Sequence, residues 1–420
     1  MRIRRSPSFR IGILITQSIK KPWRLIFLPI LLSALFFQIC LERLGKKSLP
    51  VFEQPESLLE PRNCVIMFPT NGVGFGHFTR LLAISRRIRK LDPTIEIIFI
   101  TTMPTLHLLK REGIPAYHLA GKTRFKSMDA KDWNKIVEEI IVNVFLIHRP
   151  KLFVFDGVFP HRGILNSIQG RRGIKKVWLK RGMFKKGKSS IPVDSINHFD
   201  TLIFPKDSIS HEGTDLDLSP EIIRCEPIFY ADEEELRPRS DLRKRLGIPI
   251  DSKVCYLQLG AGEINDIESD IRICLSELEK YDDLYVVLGE SMLGQRLPTM
   301  GDRVRVLSDY PNSLDFRAFD FSIMAGGYNS YHEAIQFQLP TICIPNLQTG
   351  RDDQLARSSI GEKGNAMIVV KNVNAETISI AISKIMNDKI RKRMSENCLK
   401  LQSGNGAEEI SKWIVAQINN

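Results

Sequence analysis

A chain of 420 residues, 43% hydrophobic and 26% charged, with 27 Gly and 22 Pro, has a globular composition; this excludes a disordered, collagen-like or polytopic membrane protein, and the length suits two or three packed units. The net charge of +12 is uneven. Residues 1–50 hold ten Lys and Arg against the single acid Glu42, while the rest carries 50 bases and 47 acids, so no nucleic-acid partner is expected.

In chain order, the first element is apolar. Residues 25–41 carry no charge and extend about 25 Å as one helix, against a hydrocarbon core of roughly 30 Å. Pro29 is expected to kink this run, a shorter apolar run at 11–16 precedes it, and Lys20, Lys21, Trp23 and Arg24 lie between the two as an interfacial belt. The pattern predicts membrane association through residues 11–41, either as a single transmembrane helix or as a monotopic hairpin. No small-residue cleavage site follows Leu41, which argues against a cleaved leader. Residues 1–50 read as a basic N-terminus and anchor, and the proline-containing residues 51–62 as a stem.

From residue 63, short β-branched apolar runs alternate with helical patterns. Residues 64–69, 95–101, 152–156, 176–179 and 201–204 read as buried strands, and 79–90 and 131–147 carry apolar residues at helical spacing. The pattern restarts after the acidic stretch 231–240, with strands expected at 253–257, 284–288, 304–307, 321–324 and 341–344. The predicted fold class is α/β: two doubly wound Rossmann-like domains at 63–228 and 229–406, with an amphipathic helix at 407–420 crossing back onto the first. Seven dispersed cysteines without a C-x-x-C pair indicate neither zinc nor a disulfide framework. Together with the absence of an N-x-S/T sequon, they favour a reducing cytosolic setting.

A glycine loop, Gly72-Val73-Gly74-Phe75-Gly76-His77, follows the first predicted strand. Its spacing is not the G-x-G-x-x-G of dinucleotide folds, and no acid ends the second strand. His77, at a loop-to-helix junction, suits either a general base for a hydroxyl or a cap of its own helix. Asp156 ends a buried strand at the carboxyl edge, where it either orients an imidazole or caps a helix.

A second loop, Gly326-Gly327-Tyr328-Asn329-Ser330, enters a helix that carries Glu333; Asp353 and Gln354 come one strand later. Gly-Gly amides at a helix start suit a diphosphate, a carboxylate two turns in suits a ribose diol, and an Asp-Gln pair suits sugar hydroxyls. With both loops in place, the sequence resembles inverting glycosyltransferases of the two-domain GT-B fold, closest to the group holding the lipid-linked muramyl-peptide N-acetylglucosaminyltransferase. The motifs lie in 70–80, 257–262 and 304–357.

The resemblance implies that Gly74, Gly76 and His77 face donor and acceptor, that Gly326, Gly327, Asn329 and Ser330 hold the phosphates, and that Glu333 holds the ribose. It further implies that Leu307 grips the base through its backbone, that Asp353 and Gln354 bind the donor sugar, and that Gly260 and Gly262 belong to the loop opening the second domain. It implies a UDP-sugar donor, a glycan or lipid-linked acceptor, His77 as base oriented by Asp156, and no cofactor or metal. Position 326 is Gly rather than Glu, which favours inversion, and Asp215-Leu216-Asp217 reads as surface acidity rather than a metal-binding D-x-D. The basic stretch 175–188 is either a solvated loop or a lipid-headgroup contact. A UDP-sugar 2-epimerase of the same fold and a noncatalytic donor-binding or scaffold subunit are the competing expectations, as a Golgi-type lumenal location is to the cytosolic face.

Overall fold

The computed structural model describes residues 6–44, 59–70, 74–122, 125, 127–180, 193–208, 220–260, 266–290, 301–350 and 352–419. Gly72, Asp215, Asp217, Gly262, Arg351 and most of the expected stem lie outside the described residues.

Strand β1 (Arg62–Pro69) is buried along its last six residues, as apolar side chains on both faces require of a central strand. With β2 (Glu96–Thr101), β3 (Ala116–His118), β4 (Pro150–Asp156), β5 (Lys175–Leu179), β6 (Thr201–Pro205) and β7 (Glu221–Cys225) it forms a seven-stranded sheet, order β3-β2-β1-β4-β5-β6-β7. A second, six-stranded sheet holds β8 (Lys253–Gln258), β9 (Leu284–Gly289), β10 (Val304–Leu307), β11 (Phe321–Ala325), β12 (Thr341–Ile344) and β13 (Met367–Val369), order β10-β9-β8-β11-β12-β13. All pairings in both sheets are parallel. The two expected α/β domains are present. Strands β3, β7 and β13 were not legible: each has a paired neighbour on one side only, β3 and β13 are three residues long, and β7 is polar at its start and partly exposed.

The topology fixes where ligands approach. Strand order reverses between β1 and β4 in the first sheet and between β8 and β11 in the second, so a crevice opens beyond the carboxyl ends of these four strands. The helices that matter here are α1 (Pro7–Lys20), α2 (Leu28–Arg43), α3 (Gly76–Leu91), α4 (Tyr328–Gln336), α5 (Gln354–Lys363) and α6 (Gly406–Asn419). Helix α6 ends the chain on the first domain: Ala407, Ile410, Ile414 and Ile418 join the core of β1, β4 and α3, and Ser411 Oγ donates to the Ile84 carbonyl at 2.9 Å.

Residues 25–41, expected to enter the membrane as a single helix or as part of a hairpin, are not one continuous helix. The run is divided between a 3-10 turn, Pro22–Leu25, and α2, which pairs with α1. Pro29 lies in the first turn of α2, where its missing N–H costs no hydrogen bond, so it starts a helix instead of kinking one. Among the described residues no helix is long and apolar enough to cross a membrane.

Candidate active site

The first half of the site is built where β1 and β4 end. The Thr70 N–H donates to the Asp156 carbonyl at 2.9 Å and carries the β1–β4 pairing past the sheet edge. Residue 157 must be glycine, since a Cβ there would run into Thr70 Oγ1 and lie 2.6 Å from the Phe155 ring. Helix α3 starts at Gly76, which puts His77 in its first turn and Arg80 one turn later on the same face.

These three side chains meet. His77 Nδ1 lies 2.6 Å from Asp156 Oδ1, while Arg80 donates to Asp156 through Nε (3.0 Å) and Nη2 (2.7 Å). Arg80 Nη2 also approaches His77 Nδ1 to 2.8 Å, but a guanidinium only donates; with an ionised carboxylate beside both groups, Nδ1 carries a proton toward Asp156, and the Arg80 approach follows from the shared carboxylate. Nε2 is then the basic ring nitrogen. Asp156 has no exposed side-chain surface and Arg80 1%, against 19% for His77, so only the imidazole reaches the crevice. Burial raises the Asp156 carboxyl, but Arg80 and His77 outweigh it and hold the group below the ordinary carboxylate range. Neither residue caps a helix: α3 has Phe75 at its N-cap, and Asp156 is consumed by the ring and the guanidinium.

The second half lies where β11 ends. Gly327 is the N-cap of α4, with extended backbone and no side-chain capping bond, and an added Cβ would meet nothing within 4 Å. The first amides of α4 thus face an uncrowded approach, the arrangement that favours an anion. Gly326 is packed instead: a Cβ would lie 3.2 Å from Gln354 Cβ and 3.3 Å from Cys343 Sγ. Asn329 Oδ1 is buried with no hydrogen-bond partner among the described residues, and Ser330 is partly buried.

The two halves touch through aromatic side chains. The Tyr328 ring, directly after the Gly-Gly turn, has the Arg80 guanidinium 5.5 Å from its centroid and the Arg357 guanidinium at 5.8 Å. Its hydroxyl donates to the Lys206 carbonyl (2.9 Å) and accepts from Ile228 N–H (3.3 Å). Tyr310 hydrogen-bonds Thr79 of α3 and packs on Phe75 at 4.9 Å. Arg357, fully buried on α5, binds Asp207 after β6 (2.9 Å), Asp352 (2.7 Å) and the Gly326 carbonyl (2.8 Å).

No protein-family model matches the chain. In sequence it is similar to the UDP-N-acetylglucosamine–N-acetylmuramyl-(pentapeptide) pyrophosphoryl-undecaprenol N-acetylglucosamine transferases of Clostridium kluyveri and Clostridioides difficile. The first is 22% identical over 347 residues, covering 77% of this chain and 89% of that protein; the second is 24% identical over 353 residues, covering 77% and 81%. Among solved structures it is similar to MurG of Acinetobacter baumannii (TM-score 0.54, 13% identity, 84% of this chain and 99% of that one) and to the calicheamicin glycosyltransferase CalG4 (0.55, 14%, 86% and 99%). The chain has the GT-B glycosyltransferase fold.

Within the GT-B frame the other expected residues are placed unevenly. Glu333 is 8% exposed and accepts from Ser313 Oγ at 3.0 Å and from the Tyr230 N–H; burial lifts its carboxyl to about 7 against these two bonds. Asp353 caps α5 by accepting from Ala356 N–H (2.9 Å), and Gln354 Oε1 accepts from Asn346 N–H (2.9 Å). Leu307 is buried, its carbonyl taken by the Glu290 N–H (3.0 Å). Gly260, at φ +104°, follows β8 and Gly74 follows β1; a Cβ added at either meets no atom of the described residues within 4 Å, and Gly76 lies near Arg80.

Of the basic stretch, Lys175 and Lys176 lie at the amino end of β5, beside a cavity of ≈ 890 Å³, and are tied to Gln417 and Asp200. Lys180 is buried with its Nζ 5.4 Å from the Trp178 ring centroid, so this part is no solvated loop; 181–188 lie outside the described residues. Sequence reasoning missed Arg80, Asp207, Tyr310, Tyr328 and Arg357. Arg80 was findable from its i+3 spacing to His77, whereas nothing local marks an ion pair between residues 150 positions apart.

Proposed function

We propose that the chain is an inverting, metal-independent glycosyltransferase that moves a sugar, an N-acetylhexosamine or hexose, from UDP to a hydroxyl of a lipid-linked or membrane-proximal acceptor. The observation that carries this reading is the His77–Asp156 pair on one domain, joined through Arg80 and Tyr328 to the Gly-Gly helix start of the other. The names of the sequence relatives support a UDP-linked donor and a lipid-linked acceptor. Seven free cysteines suit a reducing cytosolic face.

In this mechanism His77 Nε2 takes the acceptor hydroxyl proton as its oxygen bonds the anomeric carbon from the face opposite the diphosphate. The bond from that carbon to the diphosphate oxygen breaks, and the oxygen leaves with the electron pair. Asp156 keeps the ring in the reactive tautomer and stabilises the imidazolium that forms. The amides at Gly327, with Asn329 and Ser330, receive the departing charge in place of a metal. Glu333 addresses the ribose, and Asp353 and Gln354 the sugar.

Calorimetric titration with UDP and dTDP, followed by a donor screen with membrane lipid extract in EDTA, tests the reading. UDP binding and UDP release in EDTA are expected. Absence of nucleotide binding, or turnover that stops on chelation, contradicts it.

A further inference from the structure

We propose that residues 6–44 form a helical wedge that lies within one leaflet of an anionic lipid bilayer, its turn and its open end facing the same side.

The wedge is built to cover itself only in part. Helices α1 and α2 pack together across the turn 21–27, and their open end is closed by Arg10, which donates to Glu42 at 2.6 and 3.2 Å, with Gln38 Nε2 adding a bond to the same carboxylate at 3.0 Å. This pair sits between the helices and cancels the only acid of the segment, so no unpaired carboxylate is left between them. Residues 28–41 of α2 are apolar on nearly all faces, yet none of its residues belongs to the four apolar clusters of the two domains. A helix of that kind needs an apolar medium around it. Ile26 is 78% exposed and Phe36 70%, and Trp23, Phe27, Ile30 and Phe37 are exposed with them.

Lipid, and not a protein groove, fits the charge pattern. Lys20, Lys21 and Arg24 cluster at the turn beside Trp23, and Arg2, Arg4, Arg5, Arg43, Lys46 and Lys47 flank the open end in sequence, without a compensating acid beyond the paired Glu42. Cations at both ends of an apolar body, with Trp23 at one of them, match anionic headgroups. The 16 residues of α2 extend about 24 Å, less than a hydrocarbon core of roughly 30 Å. Standing upright, the wedge would leave the turn cations inside hydrocarbon; lying in the plane of one leaflet, it lets them snorkel to the headgroups while α2 sinks below.

The test uses the full chain added to preformed, protein-free vesicles of phosphatidylcholine, alone or mixed with phosphatidylglycerol. Cosedimentation is expected with the mixed vesicles, weakened about tenfold or more by K20S/K21S/R24S and by I26D/F27D; these residues are away from the domain cores, so unchanged thermal unfolding serves as control. For orientation, a C40S background leaves six cysteines, all buried. In it, Lys21→Cys is expected to react with an impermeant maleimide outside bound vesicles, while Ile30→Cys is protected on binding. Lys21→Cys protected from external reagent but labelled after vesicle lysis indicates a crossing hairpin and overturns the proposal. So does membrane binding that requires a protein in the vesicle, or binding unaffected by both sets of substitutions.

Discussion

A bond of 2.6 Å between the His77 ring and a carboxylate without exposed surface sets what the imidazole is able to do. His77→Ala removes the proposed base and is expected to lower kcat by about 10²–10⁴ while leaving UDP affinity intact; Asp156→Asn, which loses the preferred tautomer, falls in the same range. Arg80 keeps Asp156 ionised, so Arg80→Gln strands a buried carboxylate and is expected to cost about 3–5 kcal/mol in denaturant unfolding. Glu333 has the opposite sign of pH dependence. Its carboxyl, raised from 4.5 to about 7, contributes stability that is full below pH 4.5 and is lost as pH rises through about 7. Glu333→Gln should therefore flatten the stability profile across that interval by about 3 kcal/mol, read from urea melts at a series of pH values.

At the scale of elements, the two glycine turns separate packing from ligand access. Gly327→Ala meets no neighbour and needs no unusual backbone, so it should leave Tm unchanged while weakening UDP binding through the methyl at the helix start. Gly157→Ala collides with Thr70 and Phe155 and should destabilise by about 1–3 kcal/mol with no nucleotide bound. Most elements were legible, because β1, β4, β8 and β11 are apolar runs broken at or just after their carboxyl ends by Pro69, Asp156, Gly260 and Gly326. β3 and β7 were not: AYH and EIIRC are partly exposed, and their strand character comes from pairing with β2 and β6 rather than from hydrophobic pattern. The apolar run at 25–41 left its form open, since hydropathy does not register that Pro29 begins a helix.

At the scale of the molecule, the two domains are held by groups that no local pattern announces. Burial raises the Asp207 carboxyl, yet Arg357 and His332 pull it far below its ordinary value; Arg357 is held above its own by Asp352 and Asp207, despite burial. Arg357→Leu removes the partner of Asp207 and is expected to cost about 3–5 kcal/mol and to loosen the contact of Tyr328 with Arg80. The glycine loops and His77 were readable from sequence because each is a short, contiguous signal. Arg80 over Tyr328, which joins them, depends on the closed arrangement of both domains. The most direct measurement of the proposed transfer is UDP release from UDP-N-acetylglucosamine and UDP-hexoses with membrane lipid extract, made in parallel with UDP titration for wild type, His77→Ala and Gly327→Ala. His77→Ala is expected to bind UDP normally and barely turn over, while Gly327→Ala folds normally and binds weakly. Wild-type turnover in His77→Ala would contradict the proposed transfer.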